Sequence, residues 1–300
     1  MSFQKIFILG AGAIGSTYGA LLSRRNDVTL IGRKAHINAI NKNGITLPGD
    51  VNYKFFVKAE TVIKEIPNDT LIILTTKAYD VSNAVLSIKP LLREDATILV
   101  LQNGLGIEKI VRDMIKDKAQ VVRGLVTLAA EFFEPGKIAF WQGQTILEST
   151  KTSERIARVF NGCGLKTRIS NNMQEEIWKK LIVNCVVNPL TAILQVRNNE
   201  IMVDSLKKIR HKIIQECIAV AQVEGIHFES NLEECIERKI AGYTNYSSMC
   251  QDIMKGKKTE IDFLNGRIVE LGRKHGVPTP VNETLVGLIK FLEGRKNEPQ

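Results

Sequence analysis

The chain has 300 residues, of which 44% are hydrophobic, 24% charged and 6% aromatic, the balance of an ordinary globular protein, which excludes a low-complexity or disordered chain. Forty-one Lys and Arg against 32 Asp and Glu leave a formal charge of +9, a modest excess that suits an anionic cofactor or a carboxylate substrate. No basic run carries interleaved aromatics, so nucleic acid ranks last among the anionic partners.

At roughly 150 residues per domain, the length predicts two domains, each able to bury a core. Lys5 and the apolar run after it loosely resemble a secretion signal, but the glycines inside that run have a better explanation, given below. Ile6–Leu9, Val28–Ile31, Thr70–Thr75 and Thr97–Leu101 read as buried parallel strands. Ile14–Arg24, Lys34–Lys42, Val81–Leu92 and Ile107–Ile115 read as the helices between or after them. That alternation predicts a Rossmann-type, doubly wound α/β sheet. Past Gln120 the texture changes: Val121–Ala130, Lys137–Trp141 and Thr145–Glu148 look like antiparallel strands, with Glu134-Pro135-Gly136 as a turn.

From Met173 onward the apolar positions recur at helical spacing, which predicts an all-α C-terminal domain. Met173–Gln195, Val203–Gly225, Asn231–Ala241, Thr259–His275 and Val281–Leu292 are the expected helices. The polar break at Ser170-Asn171-Asn172 sets the expected division at 1–170 and 171–300. No uninterrupted apolar stretch reaches about 18 residues, so no membrane span is expected. Five cysteines without C-x-x-C spacing fit reduced thiols in a cytoplasm rather than a disulfide framework or a zinc site. The four histidines are scattered, which argues against a metal centre. Apolar helical domains often dimerise, so a homodimer is the oligomer to consider, although no patch can be assigned to it.

Gly10-Ala11-Gly12-Ala13-Ile14-Gly15 follows an apolar strand and opens a helix, the context of a dinucleotide-binding turn. Gly10 permits the tight turn, Gly12 leaves room for a pyrophosphate, and Gly15 lets helix and strand pack closely. The pyrophosphate would meet the free amides of the helix N-terminus. An NAD site usually carries Asp or Glu at the end of the second strand; here Arg33 and Lys34 stand instead, so the expected cofactor is NADP(H), its 2′-phosphate met by Arg33. Cations at a helix start oppose the dipole, which favours that reading over an incidental surface pair. Lys77 and Asn103 follow the third and fourth strands, where open α/β sheets bind ligands, though each is also an ordinary surface or turn residue.

Lys180, Asn184 and Asn188 are spaced i, i+4 and i+8 on a helix that is apolar almost everywhere else. A buried polar stripe needs partners, since each unsatisfied group costs about 1–3 kcal/mol. It is therefore expected to line a cleft, with Lys180 as the acid that protonates a ketone oxygen. Ser248 with Gln251 matches a capping box, and Thr259 with Asp262 resembles another, which would put Glu260 in the first turn of a helix.

These blocks together resemble the ketopantoate reductase family over nearly the whole chain. The resemblance rests on the glycine turn, Thr76-Lys77-Ala78, Gln102-Asn103-Gly104, the run from Trp178 to Ala192, and Ser247–Asp252 leading to Thr259–Gly266. It implies reduction of 2-dehydropantoate to (R)-pantoate with NADPH, toward pantothenate and coenzyme A. It implies further that Lys180 is the general acid, that Glu260 stands by the substrate hydroxyl, and that Asn184, Asn188, Asn198, Asn245 and Ser248 bind the small 2-keto acid. Arg33 and Lys77 match cofactor-contacting positions, and Asn103 matches one beside the nicotinamide. Two alternatives stay open: a related reductase or dehydrogenase for another branched 2-keto or hydroxy acid, and a non-catalytic NADP(H) sensor.

Overall fold

The computed structural model describes residues 2–47 and 53–295. Its contacts divide the chain into two units, Met1–Gln102 with Gly106–Met173, and Asn103–Leu105 with Gln174–Gln300.

The first unit opens with β1 (Lys5–Leu9), α1 (Ala13–Leu22), β2 (Val28–Ile31), α2 (Lys34–Asn43), β3 (Ile45–Leu47), β4 (Tyr53–Phe55), β5 (Lys58–Glu60) and β6 (Thr70–Leu74). It continues with α3 (Val81–Ile88), β7 (Thr97–Val100), α4 (Ile107–Ile115), β8 (Gln120–Val126), β9 (Ala129–Glu134), β10 (Lys137–Trp141), β11 (Thr145–Glu148), α5 (Lys151–Gly162) and β12 (Thr167–Ser170). An eight-stranded sheet runs in the order β12-β11-β8-β7-β6-β1-β2-β5. Its centre is parallel: Ile6 pairs with Val28 on one side and with Leu71 on the other. β1, β2, β6 and β7 are buried throughout, which is why each, past Lys5, reads as a run of apolar or β-branched residues. The Rossmann-type sheet expected from the sequence is present.

Val121–Ala130 is not one strand. The chain leaves the large sheet at Thr127 and Leu128, and β9 joins a separate four-stranded sheet, β4-β3-β10-β9. The cause is a close crossing. The Thr127 amide donates to the Gln144 carbonyl at 2.9 Å, and a Cβ on Gly143 would stand 2.4 Å from the Leu128 nitrogen. β8 itself is parallel to β7 and antiparallel only to β11. Sequence reading also misses β3, β4, β5 and β12, each three or four residues long, and α5, whose start is capped by Thr150 accepting from the Ser153 amide at 3.0 Å.

The second unit holds α6 (Met173–Leu194), α7 (Asp204–Val223), α8 (Leu232–Ala241), α9 (Ser248–Met254), α10 (Asn265–His275) and α11 (Pro280–Gly294). Trp178, Leu181, Ile182 and Val186 of α6 pack with Ile213 and Cys217 of α7, Ile268 of α10 and Ile289 of α11. Burying each large aliphatic side chain is worth about 1.5–3 kcal/mol. α6 is long and apolar enough to qualify as a membrane span by composition, with a mean hydropathy of 1.3, but 72% of that window is buried inside the protein, as a core helix is. The expected helix over Thr259–His275 is interrupted. A 3₁₀ turn covers Ile261–Phe263, and α10 begins only after Leu264, whose φ of −110° and ψ of −102° lie outside the helical region.

Candidate active site

In the first unit, the glycine turn joins β1 to α1 under tight steric control. Gly10 has φ +117°, and a Cβ there would lie 2.5 Å from the Thr76 amide nitrogen. A Cβ on Gly15 would lie 2.1 Å from the Gly10 carbonyl oxygen. Thr75 holds that same carbonyl through its hydroxyl at 2.8 Å, so β6 braces the turn. Gly12 differs. It is exposed, and a Cβ on it would meet nothing within 4 Å. As the N-cap of α1 it brings no side chain to the first helical amides, and no acid lies in that first turn. The amides and the helix dipole are therefore left for an anion. Ala11, Ala13 and Ile14 are half-buried and packed on the core of this unit.

β2 ends at Ile31, and Arg33 follows as the exposed N-cap of α2, with Lys34 exposed beside it. Lys77 is half-buried at the start of the 3₁₀ turn Ala78–Asp80 after β6. The ends of β6 and β7 are linked by the Gln102 amide, which donates to the Thr76 hydroxyl at 3.4 Å. Arg123, 1% exposed, fixes the chain at the end of β7. Its guanidinium donates to the carbonyls of Val100 at 2.9 Å, Gly124 at 2.6 Å and Gln102 at 2.8 Å. The Glu108 carboxylate lies 3.2 Å away. Burial pushes the Arg123 pKa down, and the charges of Glu108 and Glu148 oppose that shift. The residue before Asn103 is thus held by a buried cation.

In the second unit, the stripe on α6 is partly sheltered. Lys180 and Asn184 are half-buried, while Asn188 is only 5% exposed. Neighbouring Lys179 instead pairs with Glu175 at 2.5 Å on the helix surface. Beyond Pro189, Thr191 donates its hydroxyl to the Val187 carbonyl at 2.7 Å and shares a 2.7 Å hydrogen bond with Ser247. Ser247 caps α9 by accepting from the Cys250 amide at 3.0 Å. The capping residue is therefore Ser247 and not Ser248, which is exposed on the first turn of α9. A side chain one residue further along the chain points elsewhere, which leaves Ser248 available to a ligand.

Asn198 is buried, its backbone N–H donates to the backbone carbonyl of Asn245 at 3.0 Å, and its side-chain oxygen finds no partner among the described residues. Asn245 spends one donor on the Tyr246 carbonyl at 2.9 Å. Glu260 is 7% exposed and precedes the 3₁₀ turn rather than sitting in a helix, because the Thr259 hydroxyl takes the Ile261 amide at 3.2 Å and the α10 helix starts later. The expected helix-dipole role for Glu260 does not hold. Asn103, half-buried, belongs to this unit, and its neighbour Gly104 lies against that same 3₁₀ turn. The structure thus joins Asn198 to Asn245, α6 to the start of α9, and the Asn103 turn to the segment after Glu260. Ser247, Thr191 and Arg123 escaped sequence reading. A second serine beside Ser248 was the one signal available for the first of them.

Among the described residues no group of three or more His, Cys, Asp and Glu side chains could hold a metal ion. The model of the family "Ketopantoate reductase PanE/ApbA" matches residues 6–152, and that of its C-terminal part matches residues 172–293. The 2-dehydropantoate 2-reductase of Pyrococcus horikoshii is 40% identical over 300 residues, covering 97% of this chain and 98% of that protein. The crystal structure of a PanE/ApbA family ketopantoate reductase from Ralstonia eutropha superposes with a TM-score of 0.90 at 32% identity, over 96% of this chain and 98% of that one. D-mandelate dehydrogenase in complex with NADH and anilino(oxo)acetate gives a TM-score of 0.88 at 29% identity, over 96% and 98%. With both halves matched in order and a full-length relative at that identity, the chain belongs to the ketopantoate reductase family.

Proposed function

We propose that this chain reduces 2-dehydropantoate to (R)-pantoate with NADPH in the cytoplasm, a step toward pantothenate and coenzyme A. The observation that carries this reading is the polar stripe on α6: Asn188 is only 5% exposed, on the helix face that also carries the half-buried Lys180 and Asn184. Sheltered polar groups on one face of an otherwise apolar helix call for polar partners, which a small polar ligand supplies. The name of the Pyrococcus horikoshii relative supplies the substrate class.

The residues fit an NADP(H) cofactor. Gly12 leaves open space at bare helix amides, and Arg33 is exposed where an NAD site would carry an acid. Bound NADPH supplies the hydride that goes to the keto carbon. Lys180 holds its ammonium against the keto oxygen and donates the proton that completes the alcohol. Asn184, Asn188, Asn198, Asn245 and Ser248 orient the substrate, and Glu260 accepts a hydrogen bond from its hydroxyl. Lys77 contacts the cofactor, and Asn103 stands beside the nicotinamide, within reach of the substrate as well.

The assay is loss of NADPH absorbance with 2-dehydropantoate. Lys180→Ala is expected to lower kcat by about 10²–10⁴ while NADPH still binds. Unchanged turnover removes Lys180 from its role. The similarity to D-mandelate dehydrogenase favours a second reading, a different 2-keto acid with NADH. Running a panel of 2-keto acids with both cofactors separates the two.

A further inference from the structure

Pro189 lies inside α6, and the helix continues through it. In an α-helix the amide of residue 189 would bond to the carbonyl of residue 185, but proline has no N–H. The Cys185 carbonyl is therefore without its helical donor, in the middle of a fully buried core. The side-chain amide of Asn265, at the first turn of α10, donates to that carbonyl at 2.9 Å. Asn265 is completely buried. The second hydrogen of the same nitrogen goes to the Asn282 side-chain oxygen at 2.9 Å. Asn282 donates in turn to Glu216 at 2.7 Å, and the Glu216 carboxylate accepts the backbone amides of Val281 and Asn282 at 2.9 Å each. One chain of hydrogen bonds thus runs from the gap in α6, through α10, to α7 and the start of α11.

The geometry points to Asn265 as a positioning residue of the reductase: it supplies the donor that Pro189 withholds from Cys185, and so fixes the register of α6 against the segment that carries Glu260. The inference rests on the reading of Lys180, Asn184 and Glu260 given above. Asn184 is the residue just before Cys185, Lys180 is little more than one turn away, and Glu260 is five residues before Asn265. An uncompensated buried carbonyl would pull this part of α6 toward any other donor, or toward water, and would carry the polar stripe with it. Displacements of about 1 Å are enough to lower turnover 10²-fold when the reacting groups must be aligned.

A four-protein cycle tests this, using wild type, Asn265→Ala, Pro189→Ala and the double variant. Pro189→Ala returns a backbone N–H to Cys185. Asn265→Ala is expected to lower kcat with 2-dehydropantoate by roughly 10–100-fold and to change the NADPH Kd less than about threefold. The double variant is expected to recover at least about fivefold of that loss relative to Asn265→Ala. A merely structural asparagine would lower Tm without such recovery. Losses in kcat that simply multiply across the cycle overturn the proposal, as does an Asn265→Ala enzyme with wild-type kcat. Where Asn265→Ala does not fold, the double variant is read directly: turnover at the level of Pro189→Ala supports the proposal, and a folded but inactive double variant overturns it. A wild-type chain that fails to oxidise NADPH with 2-dehydropantoate overturns the functional reading instead, so the two failures are distinct.

Discussion

Gly104 lies against Phe263 so closely that a Cβ on Gly104 would stand 2.7 Å from the Phe263 carbonyl oxygen. The turn carrying Asn103 and the 3₁₀ turn after Glu260 are therefore in backbone contact, although they are far apart in the chain. Gly104 also has φ +98°, outside the range a side chain tolerates comfortably. Gly104→Ala is expected to cost at least about 2 kcal/mol, the sum of a strained backbone and a steric clash. It should lower Tm by roughly 5 °C or more and reduce turnover, because the displaced turn moves Asn103. Thermal melts and kcat on the purified variant check this; a variant with wild-type Tm would show that the contact constrains nothing.

Arg33 caps α2 with its side chain exposed, immediately beyond the end of β2. If it meets a 2′-phosphate, Arg33→Ala removes one charge-assisted contact worth about 1.5–3 kcal/mol. NADPH binding should weaken by roughly 10–100-fold, with NADH little affected. Titration of both cofactors by fluorescence decides the matter, since equal losses would refute the phosphate assignment.

Asp69 forms an ion pair with Arg155 at 2.6 Å, and both guanidinium nitrogens reach its carboxylate. That hydrogen-bonded pairing holds the Asp69 pKa below its ordinary value. A carboxylate depressed in the folded state stabilises the fold above its unfolded pKa, about 3.9, and the contribution is lost as pH falls through the lower folded value. The pair is partly exposed and should be worth little at high salt. Urea melts between about pH 6 and 3 are expected to show wild type losing its advantage over Asp69→Asn as the solution becomes acidic. An advantage that stays constant over that range would exclude the pairing as its source.

Much of the first unit was legible because local rules and tertiary demands agree there. β1, β2, β6 and β7 are buried throughout, so apart from Lys5 they hold only apolar residues and threonine. The glycine turn was legible for the same reason: Gly10 and Gly15 answer contacts within the strand–turn–helix unit or with the next strand, while Gly12 keeps the space at the helix start open. β3, β4 and β5 were not. With three residues each they carry too little pattern, and only their neighbours in the sheet make them strands. The capping box around Ser248 misled by one residue, because Ser247 is drawn inward by Thr191 of a distant helix.

By itself the sequence determined the two-part α/β and all-α architecture, the glycine turn, the cation where an NAD site would have an acid, and the helical stripe of Lys180, Asn184 and Asn188. All of these follow from spacings of a few residues along one element. Only the tertiary structure decided that Arg123 is a buried cation holding the Gln102 carbonyl, that Glu260 lies outside any helix, and that Asn265 fills the hydrogen-bonding gap at Pro189. The reason is physical. A buried group must find its partner wherever folding brings one: Gln102 lies 21 residues from Arg123 and Cys185 lies 80 from Asn265, and Phe263 is more distant still from Gly104 along the chain.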